Sequence, residues 1–145
     1  MDYKSLLLEL LKNEKYLSLA TSTAFGQPWA TPLCFVYEDA NRLYFISQNE
    51  SLHALHIAAN PHVAFSIFNT RQPLGTSFGS QGTGLVKKLS LEKVPETIRE
   101  RLFSLVSMPI LQKDYSFFLI EIDEIYLPDE ERWKIENNLR TKIEL

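Results

Sequence analysis

The residues best suited to chemistry lie in one stretch, LYFISQNESLHALHIAANPHVAFSIF, residues 43–68. Ser47, Ser51 and His53 crowd the point where an extended apolar run gives way to a helical pattern. The first N–H groups of a helix lack partners, and the positive end of its dipole favours an anion. Hydroxyl and imidazole groups at that point add further donors, so the pattern predicts a seat for a phosphate and thus the anchor of a cofactor. A protonated His53 would add charge there.

Two other groups of residues invite a chemical role. His53 and His56 stand three apart, with His62 just past a proline, and raise the question of a metal. A closed zinc site needs four ligands, and no spacing rule brings Cys34 to them, so no metal is assigned. The plainer reading leaves His56 and His62 at the surface or an interface. Gly82 and Gly84, in FGSQGTGLVKKL (residues 78–89), lie two apart and strip one face of a strand. Such a face admits a flat ring or another backbone, or simply marks a bulge. Their order, G-x-x-G-x-G, is not a dinucleotide fingerprint, and no P-loop or Gly-x-Ser-x-Gly elbow is present. Glu121 and Asp123 share a strand face and suit either acid–base work or the solvated side; alternation favours the solvated side. No catalytic residue is named.

Several elements must position these groups. Residues 1–13 carry Tyr3, Leu6, Leu7, Leu10 and Leu11 on one helical face. Tyr16 to Thr23 alternates as a half-buried strand, and Phe25-Gly26-Gln27-Pro28 turns it back into a second, Trp29 to Tyr37. Pro32 inside that strand marks an edge, a bulge or a strand start, since proline cannot donate to the ladder. Leu43 to Ile46 is expected to close a three-strand meander. The central helix shows Leu52, Leu55, Ala58 and Ala59 at helical spacing and stops at Asn60-Pro61; strand His62 to Phe68 follows. A loop, residues 69–77, leads to the glycine-rich strand. Ser90 to Val106 forms a helix with Ser90 as cap, ended by Met108-Pro109. Tyr115 to Leu127 is the longest strand, with Phe118, Ile120 and Ile122 inward, and a charged tail carries Trp133. Short turns between such strands argue for an antiparallel barrel.

The chain of 145 residues is expected to form one domain, 1–145. With 15 basic against 18 acidic residues and no basic cluster beyond Lys87-Lys88, it lacks an electrostatic footprint for nucleic acid. A single cysteine excludes an internal disulfide, and neither a secretory signal nor a membrane-spanning run is found, so a cytoplasmic protein is expected.

The segments TPLCFVY, then LYFISxxxSLHALxIxxNPxVA, then GSQGTGLV resemble the pyridoxamine 5′-phosphate oxidase-like flavin-binding split barrels, from about Tyr16 to Leu89. The resemblance implies a mainly β fold, a six-stranded antiparallel split barrel with flanking helices. It also implies a homodimer with FMN between the subunits. Thr31, Pro32 and Leu33 match the strand that runs along the flavin. Ser47 matches the hydroxyl residue at a strand end, Ser51, Leu52 and His53 the phosphate-gripping segment, and Gln81 a glutamine beside the ring. The true oxidases carry arginine and lysine near the phosphate, where this chain has Thr31, Leu52 and His53, and their C-terminal grip on pyridoxamine phosphate has no counterpart here. The resemblance therefore implies a flavin-dependent oxidoreductase on an unidentified small molecule, not a vitamin B6 oxidase. Haem or deazaflavin in the same barrel, with His53 or His56 as axial ligand to a haem, or a non-catalytic flavin-binding module, are the alternatives.

Overall fold

The computed structural model describes residues 2–105, 114–128 and 140–145. Helix α1 (Tyr3–Asn13) is capped by Asp2, whose carboxylate accepts from the Ser5 N–H, and buries Leu7, Leu10 and Leu11. Strands β1 (Tyr16–Ser22) and β2 (Pro28–Cys34) form the expected hairpin, with Gly26 supplying the positive φ of the turn. Next come β3 (Val36–Glu38), β4 (Arg42–Gln48), helix α2 (Leu52–Ala59), β5 (His62–Phe68) and β6 (Gly79–Leu89). A short 3-10 turn (Leu91–Lys93), helix α3 (Glu96–Leu105), β7 (Tyr115–Pro128) and β8 (Arg140–Lys142) complete the described chain.

These strands form one antiparallel, curled sheet in the order β2-β1-β5-β6-β7-β4-β3, with β8 added to the C-terminal part of β7. The architecture is the expected mainly β split barrel, with eight strands in place of six. One extra strand arises because the chain breaks at Phe35, so that β2 and β3 stand at opposite edges of the sheet. The anticipated meander is therefore not formed: β4 pairs with β3 and β7, not with β2. Pro32 lies on an edge strand, where its missing N–H costs no ladder bond.

Alternation sorts the strands into two faces. Leu17, Leu19, Phe45, Val63, Phe65, Ile67, Ile120, Ile125 and Leu127 fill the interior under α1. Val36, Tyr44, Ile98, Leu102 and Leu119 form a second cluster under α3. Along β7 the inward residues are Phe118 and Ile120, then Ile125 and Leu127, so their parity changes. The change falls where the register with β6 shifts, between Thr83 and Gly84, a bulge that places one extra residue, Asp123, on β7. Glu121 pairs with Lys87 at 2.6 Å and Asp123 is exposed, which puts the two acids on the solvated side.

Ser90 precedes the 3-10 turn, not a long helix, and its side chain makes no capping bond; α3 starts after Pro95. The expected helix end at Val106 to Pro109 and the tail with Trp133 lie outside the described residues.

Candidate site at the start of the central helix

α2 begins as its sequence requires. Ser51 is the N-cap: its Oγ accepts from the Ala54 N–H at 3.3 Å and its hydroxyl donates to the Gln48 carbonyl at 2.8 Å. At the other end the Asn60 N–H returns to the His56 carbonyl, and Pro61 forbids another turn. The boundaries were thus legible; the orientation was not. Leu52 and Leu55 are 44% and 53% exposed, whereas His53 and His56 are each 8% exposed. The leucines at helical spacing face outward, and the histidines face in beside Ala54 and Ile57.

Both imidazoles are tied to hydroxyls. His53 Nε2 lies 2.5 Å from Ser47 Oγ and 3.1 Å from Ser51 Oγ, and the two hydroxyl oxygens are 3.2 Å apart. Counting protons assigns the arrangement. Ser51 has given its only hydroxyl proton to Gln48, so the bonds close when Ser47 donates to Ser51 and Nε2–H donates to the serine oxygens. Neutral His53 then carries a lone pair on Nδ1. Its ring also lies 6.4 Å from that of Phe45. Burial, and next the nearby His56, push the His53 pKa below the ordinary histidine value. This corrects the expectation of a protonated imidazole reaching toward an anion: His53 is inward, neutral and part of the helix cap.

His56 is buried too, not a surface residue, with Nδ1 3.0 Å from Thr21 Oγ1. Thr21 is on the inward face of β1 with Leu17 and Leu19, and it is 2% exposed. Asn60 Nδ2 donates to Ser22 Oγ at 3.0 Å. Thr21, Ser22, His56 and Asn60 anchor α2 through side-chain bonds that no sequence motif marks. The alternation of YLSLATS, which turns Thr21 inward, held the signal for the first. His62 is exposed. Among the described residues no group of three or more His, Cys, Asp and Glu is placed to hold a metal.

The site residues expected from the sequence fall into three places. Ser47, Ser51 and His53 come together as described, with Leu52 exposed beside them. Thr31 and Leu33 lie on the inner side of β2, which packs against α2, and the Trp29 indole donates to Thr31 Oγ1 at 3.1 Å. Pro32 and Gln81 are on the outer face instead. The register carries Pro32 to Ser18, Ser18 to Ser66 and Ser66 to Gln81, three strand spacings or about 14 Å. Gln81 Oε1 accepts from Arg140 at 3.1 Å. Within one chain Gln81 therefore does not join the helix start.

Nor does the glycine pair open onto a ligand. A Cβ on Gly82 would lie 2.2 Å from Phe65 Cζ, and one on Gly84 would lie 2.6 Å from the Glu121 carbonyl oxygen. The flat ring admitted by Gly82 is the chain's own Phe65, and the backbone admitted by Gly84 is that of β7.

The chemistry available at the helix start follows. The N–H groups of Leu52 and His53 have no acceptor within α2, as for any helix start. No lysine or arginine occurs between Leu43 and Thr70. The set fits an anion held by neutral donors and a helix dipole, without a cationic clamp.

An antiparallel split barrel with a polar seat at the start of helix α2, between β4 and β5, defines the class. The chain belongs to the pyridoxamine 5′-phosphate oxidase family, whose pattern matches residues 4–128. Among solved structures it is similar to a Listeria innocua protein assigned as a pyridoxamine 5′-phosphate oxidase, at 20% identity and a TM-score of 0.72, covering 87% of this chain and 98% of that one. It is similar to HutZ, a haem storage protein from Vibrio cholerae, at 16% identity and a TM-score of 0.72, covering 88% and 95%. It is also similar to an F420 reductase, at 22% identity and a TM-score of 0.63, covering 81% and 93%. At these identities the likeness is one of fold. No curated protein matches the chain. Among the described residues no helix is long and apolar enough to cross a membrane.

Proposed function

We propose that this protein binds FMN and serves as a flavin-dependent oxidoreductase on a small molecule, working in the cytoplasm as a homodimer with the cofactor between the subunits. The observation that carries the reading is the start of α2: amide N–H groups at the positive end of a helix, beside the Ser47–Ser51 hydroxyl pair. The phosphate would be held by the Leu52 and His53 amides, with Ser47, Ser51 and neutral His53 fixing the turn that presents them. Thr31 and Leu33, next to α2, would run along the flavin; Pro32 and Gln81 would approach from the face that meets a second subunit. That face supports pairing. Ser18, Ala20, Ala30, Ala64 and Ser66 make it nearly flat, and Tyr16, 64% exposed, and Phe68, 46% exposed, border it. A bound flavin supplies hydride and electron transfer; the chain supplies binding and orientation.

The absorption spectrum of the purified protein, followed by titration of the apo form with FMN and with riboflavin, tests the reading. Saturable quenching of FMN fluorescence at or below tens of micromolar, with weaker binding of riboflavin, is expected. Equal affinities would remove the phosphate seat, and no binding of either would remove the flavin. Similarity to a haem storage protein and to an F420 reductase supports a second reading, haem or deazaflavin in this barrel, and a Soret band would favour haem. On α2 the imidazoles are engaged by hydroxyls, which weighs against either as an axial ligand.

A further inference from the structure

α2 is seated in an unusual way. Its leucines are outside, and apart from Ala54 and Ile57 the residues it buries are His53 and His56. Three polar pairs fasten it: Ser47–His53 to β4, and Thr21–His56 and Ser22–Asn60 to β1. We propose that this seat is a proton-sensitive latch: neutral His53 holds the first turn of α2 against the barrel, and acid releases that turn by protonating the imidazole.

Three features make an imidazolium unwelcome in the seated helix. It would bring a full charge into a ring packed 6.4 Å from that of Phe45. It would sit in the first turn, where the helix dipole opposes a cation. It would also face His56, one turn on, in a setting where each ring is 8% exposed.

No carboxylate on the packed strands offsets these costs. The titratable groups of β1 and β2 are Tyr16 and Cys34, both on the outer face of the sheet. Those of β4 are Arg42 and Tyr44, both bonded to Glu38. Glu50 in the preceding turn is exposed, as is His62 beyond Pro61. Asp114 meets this turn through its backbone carbonyl, which accepts from the Asn49 N–H. Tyr115, opposite Gln48, brings no carboxylate to this turn.

The lowered pKa of His53 agrees in sign. A released helix takes up the proton at the ordinary histidine value, about 6.5, and the seated one only at lower pH. The seat is therefore fully held above that pH and weakens as pH falls toward the folded value, by at most about tenfold per pH unit for one proton. Because that turn is also the proposed anion seat, the latch would regulate it, yet it stands on docking alone and is tested without flavin.

The test is amide hydrogen exchange of residues 52–59 in the full chain, corrected for intrinsic rates, between about pH 7.5 and about pH 5.5. Wild type should lose protection by up to about tenfold per unit below pH 6.5, and His53→Gln should be flat. A flat wild-type profile, or His53→Gln with the wild-type slope, overturns the latch. Should His53→Gln fail to fold, proton NMR of wild type decides. The His53 ring resonance must titrate in step with the loss of protection; titration with α2 still protected refutes the proposal. A protein that ignores FMN yet passes this test keeps the latch and loses only the flavin.

Discussion

Gly82→Ala tests whether the glycine pair serves the core or a ligand. The added Cβ would lie 2.2, 2.7 and 2.8 Å from Cζ, Cε1 and Cε2 of Phe65, far inside van der Waals contact. Phe65 is 4% exposed, so the ring cannot swing into solvent and must displace its interior neighbours. Overpacking of this kind costs about 1–3 kcal/mol, against which the entropy gained by replacing glycine returns about 0.5–1 kcal/mol. A net loss of about 1–2 kcal/mol is expected in urea unfolding, or a fall of about 3–8 °C in Tm. Adding Phe65→Leu frees the space, so the double variant should be more stable than the sum of the single effects by about 1 kcal/mol or more. Gly84→Ala should find no such rescue, because its obstacle is the Glu121 carbonyl, part of the backbone at the bulge. If Gly82→Ala unfolds with wild-type stability, or Phe65→Leu gives no rescue, the ring does not occupy that space in solution.

The remaining predictions concern α2 and the surface. Ser51→Ala removes both the N-cap bond and the bond to Gln48 and should cost about 1 kcal/mol in chemical unfolding. Thr21→Val keeps the shape but strips the partner from buried His56 Nδ1; a loss of about 1–3 kcal/mol is expected, and none would mean the bond does not seat the helix. Lys87→Ala breaks the 2.6 Å pair with Glu121, but the side chains are 62% and 45% exposed, so unfolding should change by less than about 1 kcal/mol. Tyr44, raised to about 12 by burial and by Glu38, should remain un-ionised in an ultraviolet titration well past pH 10; ionisation near the free value would place its ring in solvent.

Much of the fold was legible where the signal is local. Asn60-Pro61 stopped α2, Gly26 turned the first hairpin, Pro32 fell on an edge, and β5 ran from His62 to Phe68 as expected. The break at Phe35 and the bulge at Asp123 were not legible. Each depends on which strand lies alongside, β4 for the one and β6 for the other. The same limit applied to the site. Ser47, Ser51 and His53 come together because they are near in sequence, whereas the placement of Gln81 on the opposite face of the sheet is decided by strand register.

Sequence by itself determined the class of this protein: alternating strands, a capped short helix, and the absence of lysine and arginine beside that helix's start. Only the tertiary structure decided which way the helix faces. Periodicity gave two candidate faces, one of leucines and one of histidines. The hydroxyl of Thr21, 35 residues before His56, and that of Ser47 drew the histidines inward. A buried imidazole is tolerated where a partner stands ready to bond it, and the location of that partner is a fact of folding in three dimensions.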